Sequence, residues 1–256
     1  MLKNVEQQVE TSWQNVVSSV TSMVGSLFQK NQFCDVIFRV GAAGQMEDIK
    51  AHRNLLASRS PVFAAMFYGP VAEQKEIIEL VDCDPDIFKL ILEFIYRDSS
   101  DGINQDSIIE MYRLADKYDI GPLKKLCAQK VKDCISMEKL GEFLELNDLY
   151  DDEVIDQHCS DFLACNAWKL SQKEEYFINL SLEHLTSIWQ HDTNPEGANK
   201  LPETDIYNGA VIWGEAECLR RGGSVNNRKN LRQVFDGMFH LLSFPRMSLT
   251  EFHTIT

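Results

Sequence analysis

The chain has 256 residues, 25 of them Lys or Arg and 39 Asp or Glu, which gives a formal charge of −14. With 44% hydrophobic, 10% aromatic and 25% charged residues, it has the composition of a globular protein and not of a disordered one. The acid excess argues against a nucleic-acid-binding surface, which needs surplus Lys and Arg to neutralise phosphates. No run approaches the ~18 apolar residues of a membrane span, and the opening MLKNVEQQVETSWQ lacks the apolar centre of a signal peptide.

The first periodic segment is N-terminal. Trp13, Val16, Val17, Val20, Met23, Val24, Leu27 and Phe28 recur at helical spacing among Ser, Gln and Asn, so residues 1–30 are expected to hold an amphipathic helix. Such a stripe either closes over its own domain or pairs with a partner, and periodicity does not choose between them.

Next, Cys34 to Val40 is rich in β-branched and aromatic residues and ends at Gly41 and Gly44, which reads as a strand and a turn. A second strand is expected from about Met46 to Ala51. Ser60-Pro61 carries the N-cap and first-turn pair of a helix, with Phe63, Met66 and Phe67 inside it and Gly69-Pro70 as its stop. Glu76 to Leu80 reads as a third strand. Asp84-Pro85 repeats the cap device ahead of Ile87, Phe88, Ile91, Leu92 and Ile95. Two further helices, about 105–118 and 122–134, are separated by Gly121-Pro122. Residues 31–134 are therefore expected to form an α/β or α+β unit.

From residue 135 to 256 the strand signal is gone. Met137, Leu140 and Leu144, then Val154, Ile155, Cys159, Phe162 and Leu163, then Leu182, Leu185, Ile188 and Trp189 all stand at helical spacing. Thr204 to Arg221 reads as a long helix with Ile206, Ala210, Trp213 and Glu217 on one side, and Asn226-Asn227 as a cap for the next. This half is expected to be all-α.

The seven cysteines are odd in number and scattered, with no C-x-x-C. They read as reduced, mostly buried thiols in a cytoplasmic protein, with nuclear presence left open. No catalytic motif is present: no G-x-S-x-G, H-E-x-x-H, P-loop or G-x-G-x-x-G. His158 and Cys159 are adjacent, so on a helix they diverge by about 100° and do not form a pair. Asp148, Asp151, Asp152, Glu153 and Asp156 lack the central Gly and spacing of a calcium loop and read as charges at a helix start. Arg220, Arg221, Arg228, Lys229 and Arg232 form a basic group, either a solvated face or a contact for an acidic partner. No catalytic residue, metal or cofactor is expected; an enzyme with a site assembled from scattered residues is the least supported reading.

One stretch is more specific. Phe33-Cys34-Asp35-Val36, followed by Ala51-His52-Arg53, Leu55-Leu56 and the run Ser60 to Phe67, resembles the BTB/POZ domain in order and separation. Phe94-Ile95-Tyr96 and Leu114 to Tyr118 fit as well, and the resemblance implies the α+β form for residues 31–134. The helical half resembles a BACK domain. Trp13-Gln14, Trp213-Gly214-Glu215-Ala216-Glu217-Cys218 and Phe244 to Phe252 are similar to the BTB–BACK subfamily that ends in a PHR β-sandwich. The chain stops where that sandwich would begin and is read either as a cut version or as a natural short form.

The resemblance implies a homodimeric adaptor that binds the N-terminal region of cullin-3 and presents an unknown protein substrate to a ubiquitin ligase. It implies cullin contacts at Val71 and Glu73, in the family's hydrophobic-x-Glu position, where Val replaces the usual Met. Phe67 and Tyr118, beside turns, are taken as neighbouring surface residues, whereas Phe63 is assigned to the core. It further implies a dimer interface containing Trp13, Val16, Val20, Leu27 and the charged pair Asp35 and Lys50, unless that pair is an ordinary strand-end salt bridge. The rival reading is a BTB oligomerisation scaffold that does not bind cullin and recruits other regulatory proteins.

Overall fold

A computed structural model describes residues 18–42, 44–171, 178, 180–191 and 203–235. The chain divides into two compact units, 1–128 and 129–256.

The first unit is built on three short strands, β1 (Val36–Val40), β2 (Glu47–Ala51) and β3 (Ile77–Leu80), in the order β2-β1-β3. β1 pairs antiparallel with β2, Phe38 facing Ile49, and parallel with β3, Phe38 facing Ile78. Alternation decides the faces: Val36, Phe38, Val40, Ile49, Ala51 and Leu80 are buried, whereas Arg39, Asp48, Lys50 and Glu79 turn outward. The hairpin turn needs its glycine, since Gly41 has φ +126° and an added Cβ would lie 2.4 Å from the Gln45 carbonyl oxygen.

Helices α2 (Arg53–Arg59) and α3 (Pro61–Tyr68) cross over between β2 and β3. The pattern alone suggested only the second of these. They separate at Ser60, which is extended, and its hydroxyl accepts from Phe63 N at 3.0 Å while Pro61 sits in the first turn. Asp84 starts α4 (Pro85–Arg97) in the same way, accepting from Asp86 N and Ile87 N. α5 (Ile108–Lys117) and α6 (Gly121–Cys134) follow, and the division between the units falls within α6. The core is aromatic. Phe38 meets Phe88 at 5.0 Å, Phe63 at 5.9 Å and Phe67 at 6.4 Å between ring centroids.

At the N-terminal end, α1 spans Val20–Lys30. This helix begins after Ser19, which is extended (φ −143°) and caps it by accepting from Ser22 N. Trp13 and Val16 lie outside the described residues. α1 packs on α4 through Gly25, whose carbonyl accepts from Arg97 Nη2, and through Phe28, whose ring stands 4.7 Å from Tyr96.

The described part of the second unit is helical after its share of α6: α7 (Leu140–Tyr150), α8 (Glu153–Ser171), α9 (Leu182–His191), α10 (Glu203–Arg220) and α11 (Arg228–Phe235). α8 is central, packing against α7, α9 and α10 and burying Ile155, Cys159, Leu163 and Leu170. Its start is capped as the acidic cluster suggested, with Asp152 Oδ1 accepting from Val154 N and Ile155 N. Trp213 is buried and donates from its indole to Leu180 O at 2.7 Å. Ile206, Ile188 and Trp189 carry side chains outside the described set. The basic group is partly neutralised, since Arg220 and Arg221 both bridge to Glu217.

Candidate protein-interaction site

The turn after α3 owes its shape to a residue far away in sequence. Glu73 N donates to Met66 O at 2.8 Å and Gly69 N to Ala65 O at 3.0 Å, folding the segment back over the last turn of α3. Arg53, the first residue of α2, then pins it: Nη1 donates to Glu73 O at 3.2 Å and Nη2 to Lys75 O at 2.7 Å. The same guanidinium donates from Nε to Asp35 O and lies 5.2 Å from the Phe67 ring centroid. A planar fork with several fixed donors does this; an ammonium does not. The Glu73 carboxylate is also fixed, accepting from Lys75 N at 3.0 Å. Val71 stands at the tip of this turn, 95% exposed.

Val71 and Glu73 are therefore presented together on a braced loop. Their expected aromatic neighbours are not. Phe67 is 5% exposed and Tyr118 2%, so both belong to the core and the surface assignment is corrected. Phe67 lies one helical turn after Phe63 and shares its inward face. Tyr118 stacks on Phe63 at 4.6 Å with ring planes 14° apart. The four-residue spacing from the core residue Phe63 was the signal that places Phe67 inside. The aromatic side chain exposed beside the turn is Tyr68, which sequence reasoning passed over.

Burial also accounts for the His52 of the recognised pattern. His52 N donates to Tyr96 OH at 2.9 Å, its Nδ1 lies 2.7 Å from the same oxygen, and its Nε2 lies 2.7 Å from Gln32 O. The imidazole with its proton on Nε2 satisfies all three contacts, and tautomer is thus set by the surroundings. Burial pushes the Tyr96 hydroxyl well above its ordinary range. Cys34 Sγ stands 3.8 Å from His52 Nε2, and partial burial raises its thiol, so it is not an activated nucleophile.

Of the residues assigned to a dimer interface, Val20 is 74% exposed, and Met23 beside it is exposed too, while Leu27 is half-buried. Asp35 and Lys50 do not form an ion pair with each other. Asp35 Oδ1 instead accepts from Arg53 N at 2.8 Å, filling an N-cap role that His52, the residue before the helix, leaves open. Lys50 lies exposed on the outer face of the sheet, opposite Ile37. Among the described residues no cluster of three His, Cys, Asp or Glu side chains has the geometry to hold a metal, and no helix is long and apolar enough to cross a membrane.

Comparison with known proteins gives consistent matches. Residues 24–135 match the BTB/POZ domain family. Over 241 residues, 94% of this chain, it is 28% identical to BTB/POZ domain-containing protein 6-A of Danio rerio and to BTB/POZ domain-containing protein 3 of Homo sapiens. It is 29% identical to BTB/POZ domain-containing protein 6 of Xenopus tropicalis over the same length. The matched region covers 43%, 45% and 44% of those relatives, so the chain spans less than half their length.

Proposed function

We propose, from the match of residues 24–135 to the BTB/POZ domain family, that the protein is a dimeric adaptor that recruits cullin-3 and brings a protein substrate to a ubiquitin ligase. A BTB/POZ domain is a protein-interaction module, and the matches point to no enzyme family. The observation that carries the cullin reading is the exposed Val71 beside a fixed Glu73, on a turn held by Arg53. An apolar tip next to an oriented carboxylate suits a partner helix carrying an apolar pocket and a basic group. The exposed apolar residues of α1, Val20 and Met23, supply a surface for a second copy. Two ligase arms on one dimer would act by raising effective concentration at the substrate. In this reading the helical half is a BACK domain, and the protein works in the cytoplasm.

Isothermal titration calorimetry with the N-terminal region of cullin-3 tests the reading. Wild type binds, and a Val71→Asp, Glu73→Lys double variant binds at least about tenfold more weakly. Equal affinity for the two overturns it. The burial of Phe67 and Tyr118, together with Val in place of Met, favours the rival: an oligomerisation scaffold with too little apolar surface to hold cullin. Absence of any wild-type heat, with a dimer seen by light scattering, selects that scaffold.

A further inference from the structure

β3 has a neighbour on one side only. In the parallel ladder, Ile37 N donates to Glu76 O at 2.9 Å and Gly41 N to Leu80 O at 3.1 Å. The backbone groups of Glu76, Ile78 and Leu80 thus point towards β1, and those of Ile77 and Glu79 point away from it. No backbone partner for Ile77 or Glu79 exists on that outer side among the described residues. Ile77 is 37% exposed, and Glu79 and Val81 are exposed. A recess of about 500 Å³, lined by Arg39, Glu73, Lys75, Ile77, Ile78 and Glu79, opens along this edge.

The charge along the edge is unbalanced. Arg39, which faces Glu79 in the register between β1 and β3, is held by both carboxylate oxygens of Asp48 at 2.8 and 3.0 Å on the β2 side. Neither Glu76 nor Glu79 forms an ion pair among the described residues. The outer face of the strand therefore reads apolar then acidic at Ile77 and Glu79, with the exposed Val81 in the turn just beyond its end. Natural edge strands are protected from unwanted pairing by charge, and this arrangement is selective: two copies pairing edge to edge would bring their Glu79 carboxylates together, each facing an Arg39 already held by Asp48, whereas a basic strand would meet them with opposite charge.

We propose that the free edge of β3 binds an extended peptide segment of a partner protein by strand addition, with Lys or Arg opposite Glu79 and an apolar residue opposite Ile77. The backbone groups of Ile77 and Glu79 provide the ladder, and the alternating side chains provide the selectivity. This goes beyond the cullin reading and centres on the backbone edge of Ile77 and Glu79 and not on the Val71 tip, with Glu73 on the border between them.

The test is a fluorescence-polarisation titration of the full chain with a labelled, acetylated peptide of alternating Val and Lys, paired with amide NMR. The peptide binds saturably and shifts the Ile77 and Glu79 amides. Affinity falls about tenfold in Glu79→Lys, where an attractive cross-strand pair becomes repulsive, and the Val/Glu version of the peptide does not bind. N-methylation of the peptide amides that face β3 abolishes binding without altering the protein. Equal binding by Glu79→Lys, by the Val/Glu peptide or by the N-methylated peptide overturns the proposal. So do Ile77 and Glu79 shifts that follow protein concentration alone, which would assign the edge to a second copy. Glu79→Lys leaves the calorimetric response to cullin-3 as in wild type, which keeps the two readings separately testable.

Discussion

The guanidinium of Arg53 donates to the carbonyl oxygen of Glu73 at 3.2 Å, across twenty positions of sequence. With its bonds to Lys75 O at 2.7 Å and Asp35 O at 3.3 Å, it ties the entry to β1, the start of α2 and the turn after α3 into one unit. The turn that presents Val71 is thus held by a residue that a binding partner need not touch.

Arg53→Ala frees the carbonyls of Glu73 and Lys75 and is expected to cost about 2 kcal/mol of stability, the scale of a hydrogen bond to a charged group. Arg53→Lys keeps the charge but not the fork and recovers only part of the loss. Urea unfolding reads the stability. If Arg53→Ala matches wild type in both stability and cullin-3 affinity, the bracing role is wrong.

The Tyr118 hydroxyl is buried and has no hydrogen-bond partner among the described residues, and burial pushes it well above the ordinary tyrosine range. Tyr118→Phe removes an unsatisfied polar group and keeps the ring stacked on Phe63, so stability stays level or rises by about 1 kcal/mol. Tyr118→Ala empties the core and costs about 3–5 kcal/mol. Destabilisation by Tyr118→Phe of the same order as by Tyr118→Ala would show that the hydroxyl does have a partner. A cullin contact through Tyr118 would show as weakened binding in the Phe variant; none is expected.

Burial pushes the thiols of Cys83 and Cys159 from 9.0 up to about 12. Each group holds its proton more tightly when folded, so its contribution is complete below about pH 9 and is lost as pH rises towards 12. The urea midpoint should therefore fall between pH 8.5 and 10.5, and fall less in Cys83→Ala and Cys159→Ala when each is compared with its own value at pH 7. In alkylation with iodoacetamide at pH 8, the exposed Cys165 reacts first, and Cys83 and Cys159 react only on unfolding. Early labelling of Cys159 would contradict its place inside α8.

His184 is buried on α9, with Nδ1 2.8 Å from Ser181 Oγ. Desolvation lowers its pKa from 6.5, and Asp148, Asp156 and Glu183 oppose the shift only in part. A base with a lowered folded value contributes stability above its unfolded pKa, and that contribution is lost as pH falls below 6.5 through the folded value. Acid unfolding of the helical half should therefore begin below about pH 6.5 and be shallower in His184→Asn. Identical pH profiles for the two proteins, followed by near-ultraviolet circular dichroism, would remove His184 from the account.

What the sequence settled by itself is local. Ser60-Pro61 and Asp84-Pro85 announce helix starts because a cap needs only the next two or three residues. The inward face of β1 follows from alternation at Val36, Phe38 and Val40, and the BTB/POZ resemblance follows from short motifs in order. The surface was only half legible on the same terms: Val71 is exposed and Glu73 partly so, whereas Phe67 and Tyr118, judged by their place beside turns, lie in the core. Tertiary structure decided the contacts between distant positions. Asp35 caps a helix 18 residues away, His52 meets Tyr96 44 residues away, and the Tyr118 ring stacks on Phe63 across 55. Capping and periodicity act within one turn of chain, but which ring fills a core or which guanidinium braces a loop depends on what packing brings together, and no spacing along the chain records that.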